Sequence, residues 1–286
     1  MKSLSPTKFI SLGAALTSYV CADTPDSAIL TDYNSSGYYL YLETTPNTLT
    51  GSVDLAELVP ALAGDASHAG GNVELYSQSE NPTQANFTEF GAFANAQHVN
   101  LTMTFGGNQL VISSLNGNDW FKTGAGVYDL TYGADNLANQ WFGDFVAELN
   151  GFPDNQKENL FDTYRDSGGF QQISDPNISF VEVNGTNYNV ALGGFLDVKD
   201  KIVTLASAAT GLTEAQVAPL IPDGLQVSEA VLIDGEAYYS FNAVASDVVY
   251  TPDGSYDGTY IISTPEPSST ALLGMGMLGF LIRRKR

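Results

Sequence analysis

Asp32, Asn34, Ser36 and Glu43 occupy the first, third, fifth and twelfth places of a twelve-residue window, with Gly37 at the sixth. Oxygen ligands at that spacing can wrap a Ca²⁺ ion, and a glycine at the sixth place permits the sharp turn such a loop needs. The flanks favour a plainer role. Tyr38-Tyr39-Leu40-Tyr41-Leu42 alternates like a strand, and Pro46 blocks an exit helix. The segment is therefore expected to be a turn into a strand, with Ca²⁺ as the lesser reading and no other cofactor. Asp253-Gly254-Ser255-Tyr256-Asp257-Gly258 is a second acidic loop with a weaker version of the same signal.

Paired carboxylates could instead perform acid/base hydrolysis of a glycosidic bond, which needs two of them facing each other across a cleft. Asp154, Glu158 and Asp162 share one helical face, as do Asp144 and Glu148. A helix surface is not a cleft, and in so acidic a chain such spacings arise by number alone, so solvated faces are the default. His68 and His98 have no second His or Cys at ligand spacing, which leaves a zinc site unsupported. The serines lack a Gly-x-Ser-x-Gly elbow, so nucleophilic hydrolysis is not expected. Aromatic faces could stack on sugar rings: Trp120, Trp141 and tyrosines 38, 39, 41, 238 and 239 are available. Trp141 lies on an apolar helical stripe and reads as core, whereas Trp120, beside Asn116-Gly117-Asn118-Asp119, reads as the exposed candidate.

The elements that must position these residues are mainly strands. Alternating apolar stretches predict strands at Tyr38–Leu42, Val99–Phe105, Gln109–Ser114, Gly126–Tyr132, Ile178–Val183, Tyr188–Leu196, Val227–Ile233, Ala237–Val244, Asp247–Thr251 and Thr259–Ile262. Gly106-Gly107, Asn184-Gly185 and Asp234-Gly235 tolerate positive φ and suit tight hairpins between them. Helices interrupt the pattern near residues 136–150 and 154–167, where Leu137, Trp141, Phe145 and Leu149 recur every fourth position and Leu160, Phe161 and Tyr164 follow. Shorter helices are expected at Asp54–Leu62 and at Thr213–Leu220, the latter with Thr213 and Gln216 spaced as a capping box. The reading is one mainly β, sandwich-like antiparallel domain over residues 23–263 with a helical insertion.

Both ends of the chain differ from this body. Lys2 and Lys8, the apolar stretch Phe9–Val20 and the small residues Val20-Cys21-Ala22 before Asp23 form a signal-peptide pattern over residues 1–22, with signal peptidase expected to cut between Ala22 and Asp23. The one cysteine, Cys21, would leave with it, so disulfides and thiolate chemistry are excluded from the mature body. At the other end, Pro265-Glu266-Pro267 precedes an apolar run over residues 270–282 and the cations Arg283, Arg284, Lys285 and Arg286, which are costly to move across a bilayer and hold the terminus in the cytoplasm. The apolar run has thirteen residues, three of them glycine, against the roughly twenty that a spanning helix needs. It suits a short hydrophobic helix used transiently. Between the ends lie five Lys and Arg against 31 Asp and Glu, a formal balance of −26. Such a surface repels phosphate backbones and excludes nucleic-acid binding.

The order Pro-Glu-Pro, apolar run, basic terminus over residues 264–286 resembles the PEP-CTERM sorting signal of exported bacterial proteins. The resemblance implies handling by an exosortase, a membrane protease thought to cut near the motif. Tails of this kind also go under the name ice-binding protein C-terminal domain. That name implies no activity here, since an ice-binding face needs a flat array of spaced threonines and Thr102-Met103-Thr104 is the one suitable pair. The stretch from Asp119-Trp120-Phe121 through Trp141-Phe142 to Ser174-Asp175-Pro176-Asn177 is similar to an uncharacterised group of PEP-CTERM proteins. The expected function is a non-catalytic structural or adhesive protein of the cell envelope or extracellular matrix. It would pass the inner membrane transiently and then reside in the envelope, at the surface or outside, with extracellular polysaccharide as a partner. The alternative is a secreted carbohydrate-binding module or glycoside hydrolase.

Overall fold

The computed structural model describes residues 24–31, 37–45, 48–65, 69–75, 90–242 and 258–265. Among these, the strands in chain order are β1 (Ser27–Thr31), β2 (Tyr39–Thr45), β3 (Thr48–Ser52), β4 (Gly71–Glu74), β5 (Asn100–Phe105), β6 (Asn108–Ser113), β7 (Asn177–Asn184), β8 (Asn187–Phe195), β9 (Val227–Ser228), β10 (Val231–Ile233), β11 (Glu236–Tyr238) and β12 (Gly258–Pro265). The helices are α1 (Leu58–Leu62), α2 (Phe90–Ala94), α3 (Gly117–Phe121), α4 (Leu137–Ala147), α5 (Asp154–Asp166), α6 (Gly169–Gln172), α7 (Lys199–Thr210) and α8 (Glu214–Val217).

Two antiparallel sheets form. One runs β1-β5-β6-β10-β11; the other runs β12-β8-β7-β4-β2-β3, with β9 added beside β8. In β5 the burial alternates residue by residue, so Leu101, Met103 and Phe105 point inward while the threonines between them do not. Leu110 and Ile112 on β6 face the same way. They meet Leu40, Val73, Ile178, Val190, Leu192 and Tyr260 of the second sheet in one shared core. The Phe105 and Tyr188 rings, 5.2 Å apart, join the two sheets directly. This is the expected sandwich.

The helices build a second core on aromatic rings. Trp141 stacks on Phe145 at 5.4 Å and on Tyr164 at 5.1 Å, and Phe170 packs within 5.0 Å of Trp120. Ile202, Val203 and Ala206 of α7 close the cluster from another side. Burying rings of this size drives the packing, and truncating one to alanine typically costs about 3–5 kcal/mol.

Several sequence expectations are corrected here. Gly126–Tyr132 is no strand: its sole ladder contact is an isolated bridge between Lys122 and Tyr128, and the segment is a loop. Val227–Ile233 is split into β9 and β10 by Glu229 and Ala230, whose backbone N–H groups leave the strand direction to bond Gly193 and Ile173. The strand expected from Ala237 stops at Tyr238 among the described residues. The sequence pattern does not reveal β1, β3, β4 or the helices α2, α3, α6 and α7. The short strands carry too few residues for a period to show, and the alanine, serine and threonine of α7 blur its apolar stripe. The N-terminal signal, the strand at Asp247–Thr251 and the C-terminal apolar run lie outside the described residues. No helix among the described residues is long and apolar enough to cross a membrane.

Candidate functional site

Three places bring functional groups together. The first is the end of β12. This strand is an edge of the larger sheet and pairs with β8 from Gly258↔Gly194 to Pro265↔Asn187. Tyr260 is wholly buried and donates its hydroxyl to Phe195 O at 2.5 Å. Ser263 Oγ donates to Asn189 Oδ1 at 2.5 Å, and Thr264 is buried. Pro265, the first residue of the Pro-Glu-Pro motif, closes the strand opposite Asn187. A proline is tolerated there because half the N–H groups of an edge strand face away from the sheet.

The second is the seam between the two cores, threaded by Ser174-Asp175-Pro176-Asn177. Trp120 Nε1 donates to Ser174 Oγ at 2.8 Å. Glu229 has no exposure, and its carboxyl oxygens accept from Asn177 N at 2.7 Å and Asn177 Nδ2 at 2.9 Å. One asparagine thus grips one carboxyl group with two donors. Burial without such partners would be strongly unfavourable. Sequence reading passed over Glu229 because nothing local marks it: its partner lies 52 residues away.

The third is an open cleft of about 700 Å³ between α3 and α4, roofed by the 123–136 loop. Asn116 caps α3, its side chain accepting from Asn118 N and Asp119 N while Asp119 Oδ2 accepts from Asn116 N at 2.7 Å. The same Asp119 oxygen lies 2.8 Å from His98 Nε2. His98 is therefore a partnered side chain two residues before β5. Asn136 caps α4 by accepting from Asn139 N, and its amide donates to Asp129 O. Asn139 accepts from Gly133 N and donates to Thr131 O. Thr131 in turn donates from both its hydroxyl and its N–H to Asp129, and these bonds hold that carboxyl below the usual carboxylate range.

The other predicted residues fall as follows. Trp120 is wholly buried, which corrects the expectation that it is exposed; the capping box turns its ring inward, onto Phe170. Trp141 is core, as expected. Asp154 pairs with Lys157 and Asp162 with Arg165 on the surface of α5, while Asp144 accepts from the Tyr239 hydroxyl at 2.7 Å. Glu43 sits in β2 opposite Leu49, as the turn-into-strand reading requires. Its proposed Ca²⁺ companions Asp32, Asn34 and Ser36 lie outside the described residues, as do Ala22, Asp23, His68, the 253–257 part of the second acidic loop, Glu266, Pro267 and the four terminal cations. Among the described residues no group of three His, Cys, Asp or Glu is placed to hold a metal ion.

Residues 263–286 match the PEP-CTERM protein-sorting motif. Neither a curated protein nor a solved structure matches the chain. The chain is thus an exported, exosortase-sorted protein with a β-rich body, and the first three residues of the matched segment, Ser263, Thr264 and Pro265, are the last three of β12.

Proposed function

We propose that the body is a non-catalytic structural or adhesive component of the cell envelope or extracellular matrix, delivered through a cleaved signal peptide and a transient stay in the inner membrane. One observation carries the reading: the sorting segment grows out of a body strand without a spacer, so whatever the tail addresses, the sandwich is delivered as a rigid piece. The acidic side chains spaced along α5 support the non-catalytic part. Asp154 and Asp162 are paired with cations three residues on and spread over solvent, which suits a solvated face.

Changing Pro265-Glu266-Pro267 to alanines is the test of delivery. The variant is expected to accumulate at full length in the inner membrane, whereas normal release would refute sorting by this motif. N-terminal sequencing of the exported form is expected to begin at Asp23. Incubation with soluble polysaccharides is expected to release no reducing ends, and release would overturn the non-catalytic role.

A further inference from the structure

We infer that the cleft between α3 and α4 is a docking groove for a neutral hexose polymer, with Tyr132 as its stacking platform and Lys122, Asp135 and Gln140 as hydroxyl partners. This deepens the adhesive role proposed above and rests on it.

The groove is built in two layers. The inner layer is spent on the protein itself: Asn136 and Asn139 bond to each other and to the loop backbone, which fixes the loop's shape before any ligand arrives. The outer layer is open. Lys122, Asp135 and Gln140 line the cleft, are exposed, and make no side-chain hydrogen bond or ion pair among the described residues. Between them they offer an ammonium donor, a carboxylate acceptor and an amide that does both, the complement that a row of sugar hydroxyls requires.

Tyr132 supplies the apolar part. Its ring is held by Phe142 at 6.0 Å, edge-on, and by Phe161 at 5.8 Å, yet 39% of the residue remains exposed on the cleft wall. An aromatic ring already immobilised by its neighbours loses little entropy when a sugar stacks on it.

Charge selects the polymer. Asp119 and Asp135 outnumber Lys122 at the cleft, and the body as a whole carries a formal −26. A uronic-acid chain would be repelled, whereas an uncharged hexose chain carries no charge for those carboxylates to oppose.

The test titrates the full chain, purified in mild detergent, with a panel of neutral hexaoses (β-1,4-, β-1,3- and α-1,4-glucan and β-1,4-mannan) and with hexagalacturonic acid, by calorimetry. At least one neutral hexaose is expected to bind and the acid not. Gln140→Ala is expected to weaken binding roughly three- to tenfold. Tyr132→Leu, which keeps an apolar contact with Phe142, is expected to weaken it roughly tenfold or more. Thermal unfolding of the Gln140 variant is expected to match the parent, since that side chain has no partner to lose. Failure of every neutral hexaose, tighter binding of the acid, or unchanged affinity in both variants overturns the groove. If export and envelope retention are normal while no hexaose binds, the groove alone falls. Cleavage of a bound hexaose overturns the non-catalytic reading and leaves the groove.

Discussion

Glu229 is the residue on which the two cores depend most visibly. Its carboxyl group meets both donors of Asn177 in a place without solvent, at the point where β7 begins beside the helical cluster. Replacing Glu229 with leucine would leave Asn177 N without its acceptor and Asn177 Nδ2 with only a long 3.5 Å bond to Asp175 O, and each lost buried bond costs about 1–3 kcal/mol. A loss of about 3 kcal/mol or more in urea unfolding is expected, and a loss under 1 kcal/mol would show the grip to be unimportant. Asp223, on the surface, behaves differently. A hydrogen bond from Lys199, aided by its charge, holds the Asp223 carboxyl below the usual range. A carboxyl lowered in the folded state stabilises above its unfolded pKa and loses that effect as pH falls through the folded value. Wild type and Asp223→Asn should therefore differ in unfolding midpoint near pH 7, and the gap should shrink as the pH falls below the unfolded carboxyl value of about 3.9 and on through the lower folded one. A gap that persists in acid would contradict this.

Elements with long, clean periods are legible: β5, β6, β7, β8 and α5 stand within a residue or two of their expected places, α4 ends three residues earlier than expected, and the Thr213–Gln216 box caps α8 as its spacing implies. What failed was pattern without partner. Gly126–Tyr132 alternates as a strand should, but its one ladder contact among the described residues is the Lys122–Tyr128 bridge, and Asp129, Asn136 and Asn139 bond its backbone into a loop instead. The cleft was hidden for that reason: its wall is a loop misread as a strand, and its platform, Tyr132, was counted as that strand's last residue. Trp120 was misread because a five-residue helix with a capping box has too few turns to reveal which face is inward. Close packing was equally invisible. Gly194 pairs with Gly258 of β12 on one side and Ser228 of β9 on the other, and a Cβ there would lie 2.6 Å from Val227 O and 2.7 Å from Ser228 Cα. Those neighbours are backbone and cannot swing away. Gly194→Ala is expected to destabilise by about 1–3 kcal/mol, read from the denaturation midpoint, and a neutral outcome would mean β9 can shift from β8 freely.

At the scale of the whole molecule, body and address label share residues. The sorting match starts at Ser263, yet Ser263, Thr264 and Pro265 are the closing rungs of β12. Deleting everything after Asp257 would remove the strand, uncover the edge of β8 and strip Tyr260 and Ile262 from the sandwich core. An exposed edge of that length is also an invitation to aggregate. That truncation is expected to yield no soluble folded body. Stopping after Pro265 removes no residue of the strand and should leave the melting temperature within about 3 °C of the parent body, the shift that about 1 kcal/mol produces at this size. A protease working on the folded substrate meets the same constraint, since residues locked in a ladder cannot enter an extended active-site cleft without first peeling away. The C-terminus of the released protein is therefore expected at Pro265 or beyond. Intact-mass measurement of the exported form decides it: a terminus before Ser263 would mean that β12 is not docked when the tail is processed, and that the sheet closes only after the cut.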